Sequence, residues 1–317
     1  MKNKFFEVLR AGISTTYQDA GRFGLQHFGV TPGGCMDLRC FKIANCVVGN
    51  DLKEGVIEFA YQGPLLKLIS GKTKVAISGN VHFEIISKNK KIQGECNRSY
   101  TLDPGDQIDV IATKNSVYGY LAVDGGFDVK PFHNSVSTLI RAGIGPNKGK
   151  KINIKDKVYF KKNSTDQNNF IDAPSFSQNN IIRVIKGPQY EFFSKDSQKK
   201  FFSNLYKITN LTDRMGMRLE GEFLKNDVST NIRSEGITKG SIQVPADGFP
   251  IILLTDHPTI GGYPKIANVI SADYDLLVQK KPSMSISFKL VDISQAESAF
   301  QSYEKEIDKM LSEIKKV

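Results

Sequence analysis

Short runs in which apolar and polar residues alternate recur along the whole chain. They include Lys74–Ser78, His82–Ser87, Val117–Val123, Ile152–Phe160, Ile181–Lys186, Ile251–Thr255 and Met284–Leu290. Several keep the period of two that places apolar side chains on one face of a strand, and Met284–Leu290 (MSISFKL) does so most clearly. The pattern predicts a mainly β protein. Helical spacing is confined to three stretches: Asp37–Val48, Ser194–Leu205 and Ala296 to the C-terminus. The last is preceded by a capping box at Ser294 and Glu297 and sets Phe300, Tyr303, Ile307, Met310 and Ile314 on one face, which predicts a docked helix.

A turn-plus-strand pattern occurs twice, as Leu102–Val110 (LDPGDQIDV) and Lys281–Phe288 (KPSMSISF). In both, proline followed by glycine or serine makes a turn and alternation follows, as expected of two halves ending in comparable strands. Between them lies Lys161–Asn180, the most Asn/Ser/Gln-rich stretch, which reads as a domain boundary and the first target for proteases. The expected organisation is a β-rich N-terminal half over 1–165, a β-barrel C-terminal half over 180–290 and a C-terminal helix over 293–317.

Composition adds limits. At 317 residues, 40% hydrophobic and 24% charged, the chain is an ordinary globular one. Its net charge of +10 is spread over scattered lysines (Lys88, Lys90, Lys91; Lys148, Lys150, Lys151; Lys161, Lys162) without aromatic interleaving or a recognition helix, which argues against a nucleic-acid partner. No apolar run approaches the roughly 18 residues of a membrane span, and the N-terminus lacks a signal-peptide core, so the expectation is a cytoplasmic chain with no membrane partner. Cys35, Cys40, Cys46 and Cys96 lack metal or redox spacing and read as buried free thiols; the four histidines are dispersed, so no metal site is expected. Gly71-Lys72-Thr73 has Leu66 where a phosphate-binding loop needs its first glycine. Gly143–Gly149 has one residue too many for a dinucleotide fingerprint.

What remains is a set of polar islands beside glycines, which allow close backbone approach to a ligand. They are Thr15–Gly24 (TTYQDAGRFG), Gly33–Asp37 with Ala44-Asn45, Asp213–Gly221 (DRMGMRLEG), Ser234–Gly236, Gly240–Gly248 (GSIQVPADG) and Asp256–Pro264 (DHPTIGGYP). The alternative reading makes Asp19/Arg22 and Asp213/Arg214 structural ion pairs and the glycines turn residues.

In order and content these strings resemble the biotin-dependent carboxyltransferase-like superfamily, over about Val8 to Phe288. That superfamily holds the carboxyltransferase domain of urea carboxylase, the allophanate hydrolase second-subunit proteins and the C-type subunit of 5-oxoprolinase, and the last is the branch most like this chain. The resemblance implies a cyclophilin-like β-barrel architecture in two related halves. It also implies a hetero-oligomer with a B-type, kinase-inhibitor-like subunit and an A-type subunit, and ATP with Mg2+ at the level of the complex. No biotin is expected on this chain, which has no E-A-M-K-M-like string. Two departures stand out: Asp256-His257-Pro258-Thr259-Ile260 replaces the family's Asp-Arg-Gln-Thr-Thr, and Pro282-Ser283-Met284 replaces Pro-Gly-Asp.

ATP-coupled opening of 5-oxoproline would phosphorylate the amide oxygen and let water attack the activated carbon. That chemistry asks for cations on anionic groups and for amide donors over the oxygen that gains charge. Arg22, Arg214 and Arg218 are the candidates for holding anions. Gln18, Asn45, Gln243 and Tyr263, with Gly261 and Gly262, are the candidates for binding and orienting the small-molecule substrate. Asp19, Asp37 and Asp256 are the candidates for orienting the arginines or handling protons. Asp19→Ala and Arg214→Ala are then expected to remove activity and leave the fold intact. A carboxyltransferase subunit of a urea carboxylase or allophanate-hydrolase-like system would use the same groups to hold carboxybiotin and an amide acceptor, and a non-catalytic regulator that binds a kinase-inhibitor-like partner is the reading from outside enzymology.

Overall fold

The computed structural model describes residues 4–88, 90–162, 167–172 and 179–317. The protein is mainly β, with five helices among these residues and a closed seven-stranded barrel. Contacts divide it into two units: Met1–Arg22, Gly33–Phe176 and Ile307–Val317 in the first, Phe23–Pro32 and Ser177–Glu306 in the second. The division therefore falls within the long C-terminal helix, after Glu306.

The first unit contains two antiparallel sheets. One has six strands in the order Lys157–Tyr159, Phe5–Arg10, Leu65–Ser70, Gln107–Thr113, Val81–Ser87, Lys90–Gln93, and the other five in the order Ser14–Gln18, Val56–Ala60, Tyr118–Val123, Thr73–Gly79, Ser99–Leu102. In the six-stranded sheet Phe6/Val8, Leu66/Leu68, Phe83/Ile85 and Ile108/Val110 are buried two residues apart. These meet Tyr17, Ile57, Phe59, Val75, Ile77, Leu121 and Val123 of the other sheet in one core. The middle strands of the five-stranded sheet are buried at every residue because helix Leu38–Val48, with Phe41, Ala44 and Val48 among its buried residues, lies against them. Burial on both faces gives continuous apolar runs instead of clean alternation.

The barrel of the second unit runs Ile181–Lys186, Lys265–Val269, Ser241–Gln243, Ile251–Leu253, Gly216–Glu220, Tyr206–Thr212, Ser285–Leu290, and closes by parallel pairing of the last strand with the first (Ile181↔Ser287 to Val184↔Leu290). Ile182, Val184, Ile208, Met217, Leu219, Ile242, Ile252, Ile286 and Phe288 are all buried. Helix Lys195–Ser203, capped by Ser194, packs Phe201 on Phe288 with ring centroids 4.5 Å apart.

Several local expectations need correction. Of Ile152–Phe160 only Lys157–Tyr159 is a strand, because Asn153–Asp156 forms a turn in which the Asp156 carboxylate accepts the Asn153 N–H at 2.8 Å. The C-terminal helix is capped two residues upstream of the Ser294/Glu297 pair. Asp292 accepts from the Gln295 N–H at 2.8 Å, and Gln295 accepts in return from the Asp292 N–H at 3.1 Å. The helix spans Ile293–Ser312, so Ile314 lies beyond it, and Phe300 and Tyr303 remain partly exposed while Ile307 and Met310 are buried. Helix Ser271–Val278 had no sequence signal. Its residues are buried on several faces, which erases amphipathic periodicity. Cys35 and Cys40 are buried free thiols, but Cys46 and Cys96 are only half-buried. Much of Lys161–Asn180 lies outside the described residues; within it, Asn169–Phe170 pairs with Lys315–Lys316. No helix among the described residues is long and apolar enough to cross a membrane.

Candidate functional site

In the first unit, Gln18 and Asp19 end strand Ser14–Gln18 and are tied to the loop at 135–138. The Asp19 carboxylate accepts from Ser135 Oγ at 2.8 Å and from the N–H groups of Val136 at 2.6 Å and Gly21 at 2.8 Å. Gln18 Oε1 accepts from Ser137 Oγ at 2.7 Å, and its Nε2 donates to Thr16 Oγ1 and the Thr138 carbonyl. Buried Arg22 donates to the Ser137 carbonyl. Gln18, Asp19 and Arg22 together fix the shape of the 135–138 loop.

Asp37 caps helix Leu38–Val48 by accepting from the Cys40 N–H at 2.9 Å, and its own N–H donates to Tyr120 Oη at 2.7 Å. Asn45 donates to the Glu54 carbonyl at 2.7 Å and accepts from Asn50. Beneath the cap, buried Glu58 accepts from Tyr120 Oη at 2.8 Å and from the Met36 N–H at 2.7 Å. Burial, and then the Glu58 charge, push the Tyr120 phenol well above its ordinary range. Gly34 has φ +100°, and a β-carbon there would lie 3.0 Å from the Ala20 backbone, so the diglycine serves a close chain crossing.

In the second unit, Asp213 and Arg214 are not an ion pair. Asp213 accepts from the N–H groups of Met215 and Gly216 in the turn between two barrel strands, and Arg214 instead makes a two-pronged pair with Asp256, Nε to Oδ2 at 2.8 Å and Nη2 to Oδ1 at 3.0 Å. Both side chains are about nine-tenths buried. Arg218 lies on the opposite face of its strand from buried Met217 and Leu219 and pairs with Asp247 at the surface. His257, one of the family departures, is buried with Nδ1 2.7 Å from the Pro258 carbonyl. A carbonyl only accepts, so Nδ1 carries the proton; burial first of all lowers the pKa and keeps the ring neutral.

Two of the remaining candidates, Gln243 and Gly261, lie at a cluster that the sequence only partly revealed. Gln243 pairs with Lys265 on the adjacent barrel strand, and Gly261 sits opposite Glu235 in a two-residue ladder. Lys265 Nζ lies 2.5 Å from Glu235 Oε1, which also accepts from Gln189 Nε2 at 2.9 Å; the other end of Gln189 accepts the Lys265 N–H. These contacts, led by the one to Lys265, hold the Glu235 carboxyl below its ordinary range. Gln243 is 5% exposed, and its Nε2 has no hydrogen-bond partner among the described residues. An unpaired buried donor costs about 1–3 kcal/mol. Gly262 accepts from the Ile232 N–H at 2.8 Å, and Tyr263 is 41% exposed. Glu235 stood inside a polar island and Lys265 directly follows the Gly-Gly-Tyr-Pro string; Gln189 had no signal at all.

Among the described residues no group of three His, Cys, Asp or Glu side chains could hold a metal. Gly71-Lys72 forms the turn between strands Leu65–Ser70 and Thr73–Gly79, with Thr73 buried and Lys72 beside Asp103, which is no cradle for a triphosphate.

Residues 28–290 match the family model for the carboxyltransferase domain, subdomain A and B. The chain is 30% identical to the C-type subunit of 5-oxoprolinase from Escherichia coli (strain K12) over 96% of its own length and 97% of that protein's. It is 32% identical to the C-type subunit of 5-oxoprolinase from Haemophilus influenzae over 92% of each. The crystal structure of the K. lactis urea amidolyase superposes with a TM-score of 0.88 at 27% identity, covering 98% of this chain and 20% of that one.

Proposed function

The chain belongs to the family of carboxyltransferase domains built from subdomains A and B, and from that premise we propose that it is a subunit of an ATP-dependent 5-oxoprolinase. The observation that carries this reading is the span of the match. Alignment with the 5-oxoprolinase relative runs over 97% of the Escherichia coli protein, whereas the urea amidolyase shares only a fifth of its length with this chain. The chain then works with a B-type and an A-type subunit, and the complex converts 5-oxo-L-proline, ATP and water to L-glutamate, ADP and phosphate, with Mg2+ accompanying the nucleotide. Of the predicted site residues, Gln243 and Gly261 lie at the cluster best suited to a small polar ligand. Asp19, Arg22, Arg214 and Asp256 act by fixing the loops.

The test is co-expression with the genes for both partner subunits, followed by measurement of glutamate and ADP made from 5-oxoproline. Stoichiometric formation of both is expected, and neither from this chain alone. The close superposition on the amidolyase favours one other reading, a carboxyltransferase subunit of a urea carboxylase-like system that moves a carboxyl group to an amide. Biotin-dependent carboxylation of urea by the complex, with no glutamate formed, would establish that reading instead.

A further inference from the structure

Gln243 presents an amide nitrogen that is sealed from solvent and has no acceptor among the described residues. Its partner across the ladder, Lys265, is 3% exposed and brings an ammonium whose nearest carboxylate is Glu235 at 2.5 Å, in an ion pair without good hydrogen-bond alignment. Two donors and one acceptor are therefore collected within one small region of the barrel. The cover is Ile260–Gly261, held to Glu235–Gly236 by a ladder of two residues on each side, with Ile260 itself 60% exposed. Gly261 lies so close that a β-carbon on it would come within 2.7 Å of Gln243 Nε2. A β-carbon there would have to push the end of the Gln243 side chain aside, and so short a ladder is weak enough to part. The Glu235 side chain, 42% exposed, marks the solvent side.

We propose that Gln243, Lys265 and Glu235 form a binding subsite for the H–N–C=O group of a small amide, lactam or urea, and that Ile260–Gly262 is the lid that opens to admit it. The ligand carbonyl oxygen accepts from Gln243 Nε2 and Lys265 Nζ, and the ligand N–H donates to the Glu235 carboxylate. The unpaired amide of the closed form then gains its acceptor, and the ammonium and carboxylate keep their charges while each meets a neutral dipole. A carboxylic acid or amine without the amide cannot satisfy both sides. Gln189 is a positioning residue, since it holds Glu235 and the Lys265 backbone from behind. This subsite deepens the 5-oxoprolinase reading and rests on it for the identity of the natural ligand, but not for the class.

The experiment titrates the full chain, alone and in the complex with its partner subunits, with 5-oxoproline, urea and acetamide, and with cyclopentanone (acceptor only) and pyrrolidine (donor only) as the non-amide controls, following protein amide and methyl resonances. Amides are expected to shift resonances around Gly261 and Lys265, and the two controls to leave them unmoved. Lys265→Met, Gln243→Leu and Glu235→Gln are each expected to weaken amide binding by roughly tenfold or more, as for loss of one hydrogen bond involving a charged or desolvated group. Gly261→Ala blocks the lid from the other side and should do the same, so the test survives a folding failure in any one variant, which thermal melts would reveal. Absence of amide binding in both states of the protein, equal shifts with cyclopentanone or pyrrolidine, or wild-type affinity in the folded variants overturns the proposal. Binding of urea and acetamide in a complex that makes no glutamate removes the 5-oxoprolinase reading and leaves the subsite standing. Undiminished 5-oxoproline hydrolysis by the Lys265→Met complex does the reverse.

Discussion

Single residues in this protein owe their roles to partners that only the fold supplies. Arg214 is the clearest case. Its two-pronged contact with Asp256 sits in a largely buried pocket, so Arg214→Ala strands a carboxylate and is expected to cost about 3 kcal/mol, toward the lower end for a buried pair because both groups keep some solvent contact. Chemical denaturation would show this as a lower midpoint at unchanged slope, and the Arg214→Ala/Asp256→Ala double variant should recover part of the loss. Loss of activity in Arg214→Ala with no loss of stability would instead place the guanidinium on a ligand. His257 gives a pH signature. Burial lowers its pKa from the ordinary 6.5, so the unfolded chain binds more protons than the native one just below that value. Stability conferred by the neutral ring is present above pH 6.5 and falls as pH drops from 6.5 toward the lowered native pKa. His257→Gln should flatten that part of the profile, and parallel wild-type and variant curves between pH 7 and 5 would exclude the effect.

At the scale of elements, caps and turns carry the information. Asp37 is the N-cap of the helix that covers the five-stranded sheet, and Asp37→Ala should cost about 1–2 kcal/mol while Asp37→Ser restores most of it. A catalytic carboxylate would not be rescued by serine, so activity of the assembled complex with Asp37→Ser separates the two roles. The repeated turn is the same structure both times: Asp106 N–H closes on the Asp103 carbonyl and Met284 N–H on the Lys281 carbonyl, with Gly105 at φ 100° and Ser283 at φ 75°. Serine there occupies a position that glycine fills more readily. Ser283→Gly should therefore stabilise the protein by roughly 0.5–1 kcal/mol, the left-handed strain relieved less the added chain entropy. A lower melting temperature would show that the serine hydroxyl contributes something the backbone argument omits.

For the whole molecule, the C-terminus belongs to the packing of the first unit. Ile307 and Met310 are buried, Cys46 Sγ donates to the Leu311 carbonyl, and Lys315–Lys316 pairs with Asn169–Phe170. Truncation after Glu306 is expected to remove two buried apolar side chains from that unit and cost about 3–6 kcal/mol, at roughly 1.5–3 for each. A shortened chain that melts with the full-length one would contradict this.

What the sequence determined by itself was local. Period-two alternation located the barrel strand Ile181–Lys186 residue for residue and Ser285–Leu290 to within one, and proline–glycine or proline–serine pairs marked the turns, because strand faces and turn dihedrals are set by neighbours a few residues apart. The ordered polar strings also pointed to the family. Only the tertiary structure decided which polar groups meet. Asp19 finds its donors 116 and 117 residues away, and Arg214 finds Asp256 across 42. The Gln243, Lys265 and Glu235 cluster exists because barrel pairing and a two-residue ladder bring three separate strands together. A charged or amide side chain carries no local signal of its partner, since its energy depends on burial and on what stands opposite it once the sheet has closed.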